Sequence, residues 1–322
     1  MSAIMQPKTR TEAYPVSEET RRDGAIGART IKTAVAEGAA CQLVSASCAL
    51  LTVRCVSLPL LDCFVGLFDA VLPAALRPAF DPHVDRQAVL MLTSALGGFL
   101  VAAVGVCGLL DLLPTHRLKT QSHRSYFTGR EWLQAFAVAM LNLLCFSWFA
   151  VIPAWCLQRG GLLRGGTPVA TLEDEWRLPA AALHHLAHGV VIDVWFYTTH
   201  RALHWPPLYR TVHRIHHRFR APVAVACVYA HPAEFVVGNV LGVVLGPALT
   251  NAHPLTCAFW MANSLITTAF SHSGYLALGA TDHDRHHLYY DTNFGVGLFM
   301  DRLLGTGFVE DARAAGAKRR VS

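Results

Sequence analysis

Residues 178–204 read LPAAALHHLAHGVVIDVWFYTTHRALH, and the fold turns on this stretch. Leu178 to Thr199 is a candidate membrane helix that carries one acid, Asp193. It runs straight into His200-Arg201-Ala202-Leu203-His204. Residues four apart on a helix lie one above the other, so His200 and His204 share a face. Two further clusters follow, His213-Arg214-Ile215-His216-His217 and His283-Asp284-Arg285-His286-His287. In each, the first histidine precedes the other two by three and four residues, so all three project from one side.

Chance does not produce this pattern, because 11 of the 17 histidines fall between residues 200 and 287 with repeated spacings. Three such faces brought together form a cage of nitrogen donors without a thiolate. Imidazole suits iron, zinc, copper and nickel. Eight donors are too many for one tetrahedral zinc, so the count predicts two metal ions. The isolated histidines read differently. His83, His116 and His123 sit among loop-type polar residues and are expected to be solvated. His184, His185 and His188 lie within the apolar stretch and are assigned to packing or substrate contact.

The rest of the chain has the composition of a membrane protein, 53% hydrophobic and 15% charged, where soluble domains carry about a quarter charged residues. Ala88–Leu110 and Trp132–Leu157 are uncharged throughout, and each is long enough to span a bilayer as a helix. Residues 39–61, interrupted by Arg54, form another candidate, and 235–252 and 254–271 form a helical pair around a turn at Asn251–Pro254. If all six segments cross, 21 of the 27 Lys and Arg residues fall on the side of the termini and the histidine clusters, and 5 on the other. Basic loops stay cytosolic, which puts the histidine face in the cytosol. The net charge of +5 then sits near anionic headgroups. No basic-aromatic pattern indicates nucleic acid binding.

The expected architecture is all-α: a polytopic membrane helix bundle with a cytosolic histidine-rich helical cap. Residues 1–33 are polar, have no apolar signal core and read as a disordered tail. Residues 34–310 form a single membrane-embedded domain, and 311–322 a basic C-terminal tail. The nine cysteines lie mostly in apolar segments and read as small buried hydrophobes. A carboxylate inside an apolar segment is costly unless paired. Asp193, seven residues before His200, is therefore expected to accept a hydrogen bond from the outer nitrogen of a metal-bound imidazole. Trp195, Phe196 and Tyr197 line a lipid route into the site or form an aromatic belt at headgroup level. Asp282, Asp284 and Asp291 suit either an outer-sphere or a solvated role. Asn293, in an Asn-Phe-Gly stretch, reads as a turn residue.

Asp193 to His204 followed by the two H-x-x-H-H clusters resembles the membrane fatty acid hydroxylase superfamily. Tyr229-Ala230-His231-Pro232-Ala233-Glu234, Ser271-His272-Ser273-Gly274-Tyr275 and Asp301-Arg302-Leu303-Leu304-Gly305-Thr306 narrow the resemblance to the sterol C4-methyl oxidase branch. It covers about residues 130–307. It implies a non-haem di-iron enzyme of the endoplasmic reticulum membrane that uses dioxygen and electrons from NAD(P)H. A cytochrome b-type protein and its flavin reductase relay those electrons, and this chain has no His-Pro-Gly-Gly haem module of its own. By the same resemblance His200, His204, His213, His216, His217, His283, His286 and His287 are metal ligands, and His272 is a ninth. His231 is a further ligand or the cap of the helix that follows. Relatives that hydroxylate sphingolipid fatty acids carry another histidine where this chain has Thr268, which favours the sterol branch.

The expected function is thus dioxygen-dependent hydroxylation of a sterol methyl group. The alternatives are a fatty acyl or sphingoid hydroxylase or desaturase of the same superfamily, or a membrane protein with a structural metal site. A zinc hydrolase would want a general-base motif such as H-E-x-x-H, which is absent.

Overall fold

The computed structural model describes residues 31–62, 82–121, 128–147, 149–150, 153, 170–172, 174–297 and 299–308. Most of the expected tails, 1–33 and 311–322, lie outside these residues, as do His123 and most of the continuation of Trp132–Leu157 beyond Phe146. The chain divides into two units, and everything below concerns the larger one, Glu37–Phe308. The described residues are helical, with no strand among them.

The long helices follow from long apolar runs that must satisfy their backbone internally. Helix α1, Ile31–Thr52, and helix α2, Pro82–Phe99, each continue through a π-helical turn, at Val53–Ser57 and at Leu100–Val106. Helix α3, Gly129–Leu141, begins at a capping box in which the Thr128 hydroxyl accepts from the Glu131 N–H and the Glu131 carboxylate accepts from the Thr128 N–H. Helix α4 is Leu178–Leu203 and α5 is Pro206–Thr211. Helix α6 spans Pro232–Leu249, α7 Pro254–Ser271, α8 Thr281–Tyr289 and α9 Met300–Leu303.

Three helices are long and apolar enough to cross a membrane: Ala39–Asp62, Gln87–Leu112 and Pro232–Leu249. That is fewer than the six segments read from the sequence. Helix α7 is diluted by Thr256, Asn263, Ser264, Thr267, Thr268 and Ser271, and it buries Trp260, Met261, Ile266, Ala269 and Phe270 in the core. Helix α4 is diluted by His184, His185, His188 and Asp193, yet it exposes an apolar stripe of Leu183, Leu186, Val190 and Val194.

Two glycines let the helices approach closely, as small residues do in membrane bundles. A Cβ on Gly98 of α2 would lie 2.5 Å from the Ala262 carbonyl oxygen of α7. One on Gly246 of α6 would lie 2.9 Å from the Cα of His188 on α4. Helices α2, α4, α6 and α7 thereby surround a cavity of about 830 Å³ that reaches the histidine clusters.

Candidate metal centre

The three clusters converge, and they interleave. One group comprises His200, His204, His213, His217 and His286, the other His216, His272, His283 and His287. The ligand atoms within each group lie within 4.8 Å of one another. The second cluster, carried on a 3-10 turn at His213–Arg218, gives its first and last histidines to the five-donor group and His216 to the four-donor group. The third cluster, on α8, does the reverse: His283 and His287 join the four-donor group and His286 the five-donor group. Three- and four-residue spacings on one short element thus present adjacent histidines to two neighbouring centres. The centres abut, since the rings of His217 and His287 are 4.6 Å apart.

The outer nitrogens explain why these rings can bind metal. His200 Nδ1 donates to the Phe294 carbonyl at 2.7 Å, His286 Nδ1 to the Thr292 carbonyl at 2.7 Å, and His287 Nδ1 to the Phe219 carbonyl at 3.1 Å. His272 Nδ1 donates to the Thr268 carbonyl at 2.8 Å, and His213 Nδ1 to the Glu234 carboxylate at 2.8 Å. A neutral imidazole carries one N–H, so each of these five presents a bare lone pair at Nε2. Yet His200 Nε2 and His213 Nε2 stand 3.1 Å apart, and His272 Nε2 and His283 Nε2 2.9 Å apart. His216 Nδ1 also faces a carbonyl, that of Tyr229 at 3.4 Å, and its Nε2 stands 3.3 Å from His272 Nε2. This last contact joins two bare lone pairs, which repel unless a cation lies between them. Metal–imidazole bonds of about 2.1 Å at right angles put neighbouring nitrogens about 3.0 Å apart, so the spacing fits metal ligation.

Burial also keeps the rings neutral, the form that ligates metal. It lowers His216 to about 4, His272 to about 3 and His204 to about 2, with the neighbouring imidazoles adding to the shift in the last two. His213, His217, His283, His286 and His287 are held well below the usual range by the same burial and crowding. Folded pKa values below the unfolded value of about 6.5 mean that the unfolded chain binds more protons as pH falls. The metal-free protein is therefore expected to lose stability between about pH 6.5 and pH 3 and to keep it above. Thermal melts of chelator-treated protein in detergent across that window check this, and a flat profile contradicts it.

Two expected site residues stand outside both groups, and for His231 the structure shows the second of its two expected roles. His231 is in neither group; its Nδ1 accepts from the Ala233 N–H and caps α6. His253 does the same for α7, accepting from the Leu255 N–H, so both His-Pro pairs are helix starts. Asp193 does not accept from an imidazole. It is fully buried and accepts from three backbone N–H groups, those of Val296, Phe299 and Met300. It therefore folds the 294–301 loop, whose Phe294 carbonyl in turn orients His200. Asp301 accepts from the Phe294 and Gly295 N–H groups and fastens the same loop. Asn293 adopts a left-handed turn at φ 55°, donates to the Asp282 carbonyl and accepts from the Phe308 N–H. Asp284 is buried and accepts from Gln121 Nε2, while Asp282 is exposed.

Of the aromatic trio, Phe196 lines the cavity, Trp195 donates to the Val237 carbonyl and Tyr197 meets the Thr306 hydroxyl. His188 meets the Thr250 hydroxyl, and His185 packs its ring against Trp260 at the cavity wall.

Sequence reading missed Glu234 as the acceptor for His213. The available signal was a lone carboxylate opening an apolar helix at the end of a quoted motif. Glu234→Gln is expected to lower metal affinity or turnover by about 10–100-fold, the usual cost of losing such an outer partner. Metal titration of the variant checks this, and unchanged affinity with unchanged turnover contradicts it.

Residues 185–306 match the family model for fatty acid hydroxylase. The chain is 38% identical over 120 residues to Fatty acid hydroxylase domain-containing protein 2 of Homo sapiens, covering 36% of each chain. It is 36% identical over 139 residues to Methylsterol monooxygenase erg25B of Aspergillus fumigatus, covering 38% of this chain and 47% of that protein. A Very-long-chain aldehyde decarbonylase of Oryza sativa is 37% identical over 136 residues, covering 38% of this chain and 51% of its own length. The chain thus spans about a third to a half of the length of the curated relatives it matches. No solved structure matches it.

Proposed function

We propose, on the premise that residues 185–306 are a fatty acid hydroxylase domain, that this protein is a dioxygen-dependent lipid hydroxylase holding two irons. The observation that carries the reading is the paired set of inward lone pairs, five donors beside four, with outer nitrogens locked by carbonyls and one carboxylate. Nine imidazoles in two groups exceed what structural zinc takes. They suit a redox metal, and the match to the fatty acid hydroxylase model supports the reading of iron among the metals that imidazole accepts. Bound iron supplies the capacity to activate dioxygen, using electrons that a separate carrier brings from NAD(P)H.

The chain's own residues then do three things. Phe294, Thr292, Phe219, Thr268 and Glu234 orient the imidazoles through their outer nitrogens. Apolar walls from α2, α4, α6 and α7 exclude water from the cavity. That cavity touches His200 and His213 of one group and His216, His272 and His283 of the other, so a lipid lying in it meets both centres.

The substrate we assign is a sterol bearing a C4 methyl group, supported by the similarity to a methylsterol monooxygenase. The similarity to a very-long-chain aldehyde decarbonylase supports a second reading, an acyl-lipid substrate. The proposed setting is the endoplasmic reticulum membrane, with the centre facing the cytosol and a cytochrome b-type donor with its reductase docking there. Counted with all six segments of the sequence reading crossing, the basic bias of the histidine-bearing side supports that orientation.

Metal analysis of purified protein, with sterol turnover measured in proteoliposomes under air and under nitrogen, tests the proposal. Two irons per chain and oxygen-dependent loss of a 4-methylsterol are expected. One zinc per chain, or turnover indifferent to oxygen, would overturn it. Turnover of acyl lipids with methylsterols untouched would replace the substrate alone.

A further inference from the structure

The cavity runs well beyond the metal centres. Along α7 its wall extends from His272 back to Trp260, about 18 Å at 1.5 Å per residue, and along α4 from His200 back to His185, about 22 Å. Its far part is apolar: Met91, Leu92 and Ala95 of α2 and Ile192 of α4 pack around Val244, Trp260 and Met261. Trp260 is pinned there by the hydrogen bond from its Nε1 to the Val243 carbonyl at 2.9 Å.

The four walls are not equally joined. Helix α2 packs along α7, and α4 packs along α6. Helices α2 and α4 both line the cavity yet scarcely touch each other. On the α4 side of this seam stands Leu186, which lines the cavity although 67% of it is exposed. A side chain that faces both the interior and the outside marks an opening. The surface around that opening is the exposed stripe of Leu183, Val190 and Val194. On the other side it is α2, part of the candidate span Gln87–Leu112. Both lips are therefore apolar, and the α2 lip belongs to a helix long and apolar enough to cross a membrane. Among the described residues, exposed lining also occurs at Gln42 and Gly279, where α1 meets the segment before α8, and at Asp282, Val296, Phe299 and Arg302, beside the metal centres.

We infer that the seam between α2 and α4 is the port through which a bilayer lipid enters the cavity, with its apolar body coming to rest against Trp260 and Met261. The expected occupant has a rigid or extended hydrocarbon body of about 18–22 Å, matching the length of the walls. This deepens the proposed function by fixing the route of its substrate, and it rests on that reading only for what becomes of the lipid. It also moves the expected route from the Trp195–Tyr197 stretch to the opposite part of α4.

Photolabelling tests the port without requiring turnover. The full chain is reconstituted in phosphatidylcholine vesicles containing a diazirine-bearing sterol, irradiated and mapped by mass spectrometry. Label is expected on Leu186, Met91 and Leu92 at the seam and on Met261 inside. The double substitution Met91→Trp with Leu186→Trp, at the seam and away from the metal centres, should abolish label on Met261. It should spare label on the outward-facing Leu109, which also shows that the variant is folded and inserted. Undiminished Met261 label in that variant overturns the inference. So does loss of Met261 label from Val296→Trp instead, which would place the port at the loop. Labelling as expected in a protein that never hydroxylates a lipid would sink the oxygenase reading and leave the port standing.

Discussion

Replacing His216 with alanine is expected to abolish oxygen-dependent turnover while leaving membrane insertion intact. His216 is one of only four donors in its group, and the cavity touches it directly. Its neighbour His217 belongs to the other group, so the substitution strips one centre and leaves the five-donor set whole. Loss of a direct donor should cost more than the roughly 10–100-fold that outer partners cost. Bound metal should fall towards one ion per chain, and the remaining ion should keep its coordination spectrum. Metal analysis and turnover on the same sample decide the matter. Retained turnover, or loss of both metals together, contradicts the division into two centres.

Asp193→Ala is expected to be the most destabilising single change in the described chain. The carboxylate is fully buried and holds three backbone N–H groups at 2.9–3.1 Å. Orphaning a buried donor costs about 1–3 kcal/mol, so the three together imply a loss of at least about 3 kcal/mol. The damage should be directional, because the freed loop carries the Phe294 carbonyl that orients His200. Metal should therefore be lost from the five-donor group first. Asp193→Asn, which keeps one acceptor oxygen, should recover part of the stability. Thermal melts with metal analysis check both variants. An Asp193→Ala protein as stable and as well metallated as the parent would show that the loop is held by Asp301 alone.

Much of the centre could be read directly. The eight clustered histidines and His272 are the nine that converge, because helical spacing forces residues three and four apart onto one side wherever the element ends up. Thr268 shows how far such reading goes. Its identity marks where a relative would carry a tenth donor, but its carbonyl, which every residue has, is what orients His272. Asp193 was legible as a carboxylate needing partners. That those partners are N–H groups more than one hundred residues away depends on where the 294–301 loop docks. His231 and His253 look alike in sequence and act alike in structure, since proline at the first helical position leaves the preceding histidine free to cap.

Local spacing and composition by themselves determined that this chain is helical, apolar enough for membrane helices and equipped with imidazoles in sets that share a face. These properties depend only on neighbours a turn away. The division of those imidazoles into five and four, the carbonyls that lock their tautomers, and the seam between α2 and α4 were decided by tertiary structure alone. Each depends on groups brought together from distant parts of the chain, and backbone carbonyls and gaps between helices leave no mark on residue identity.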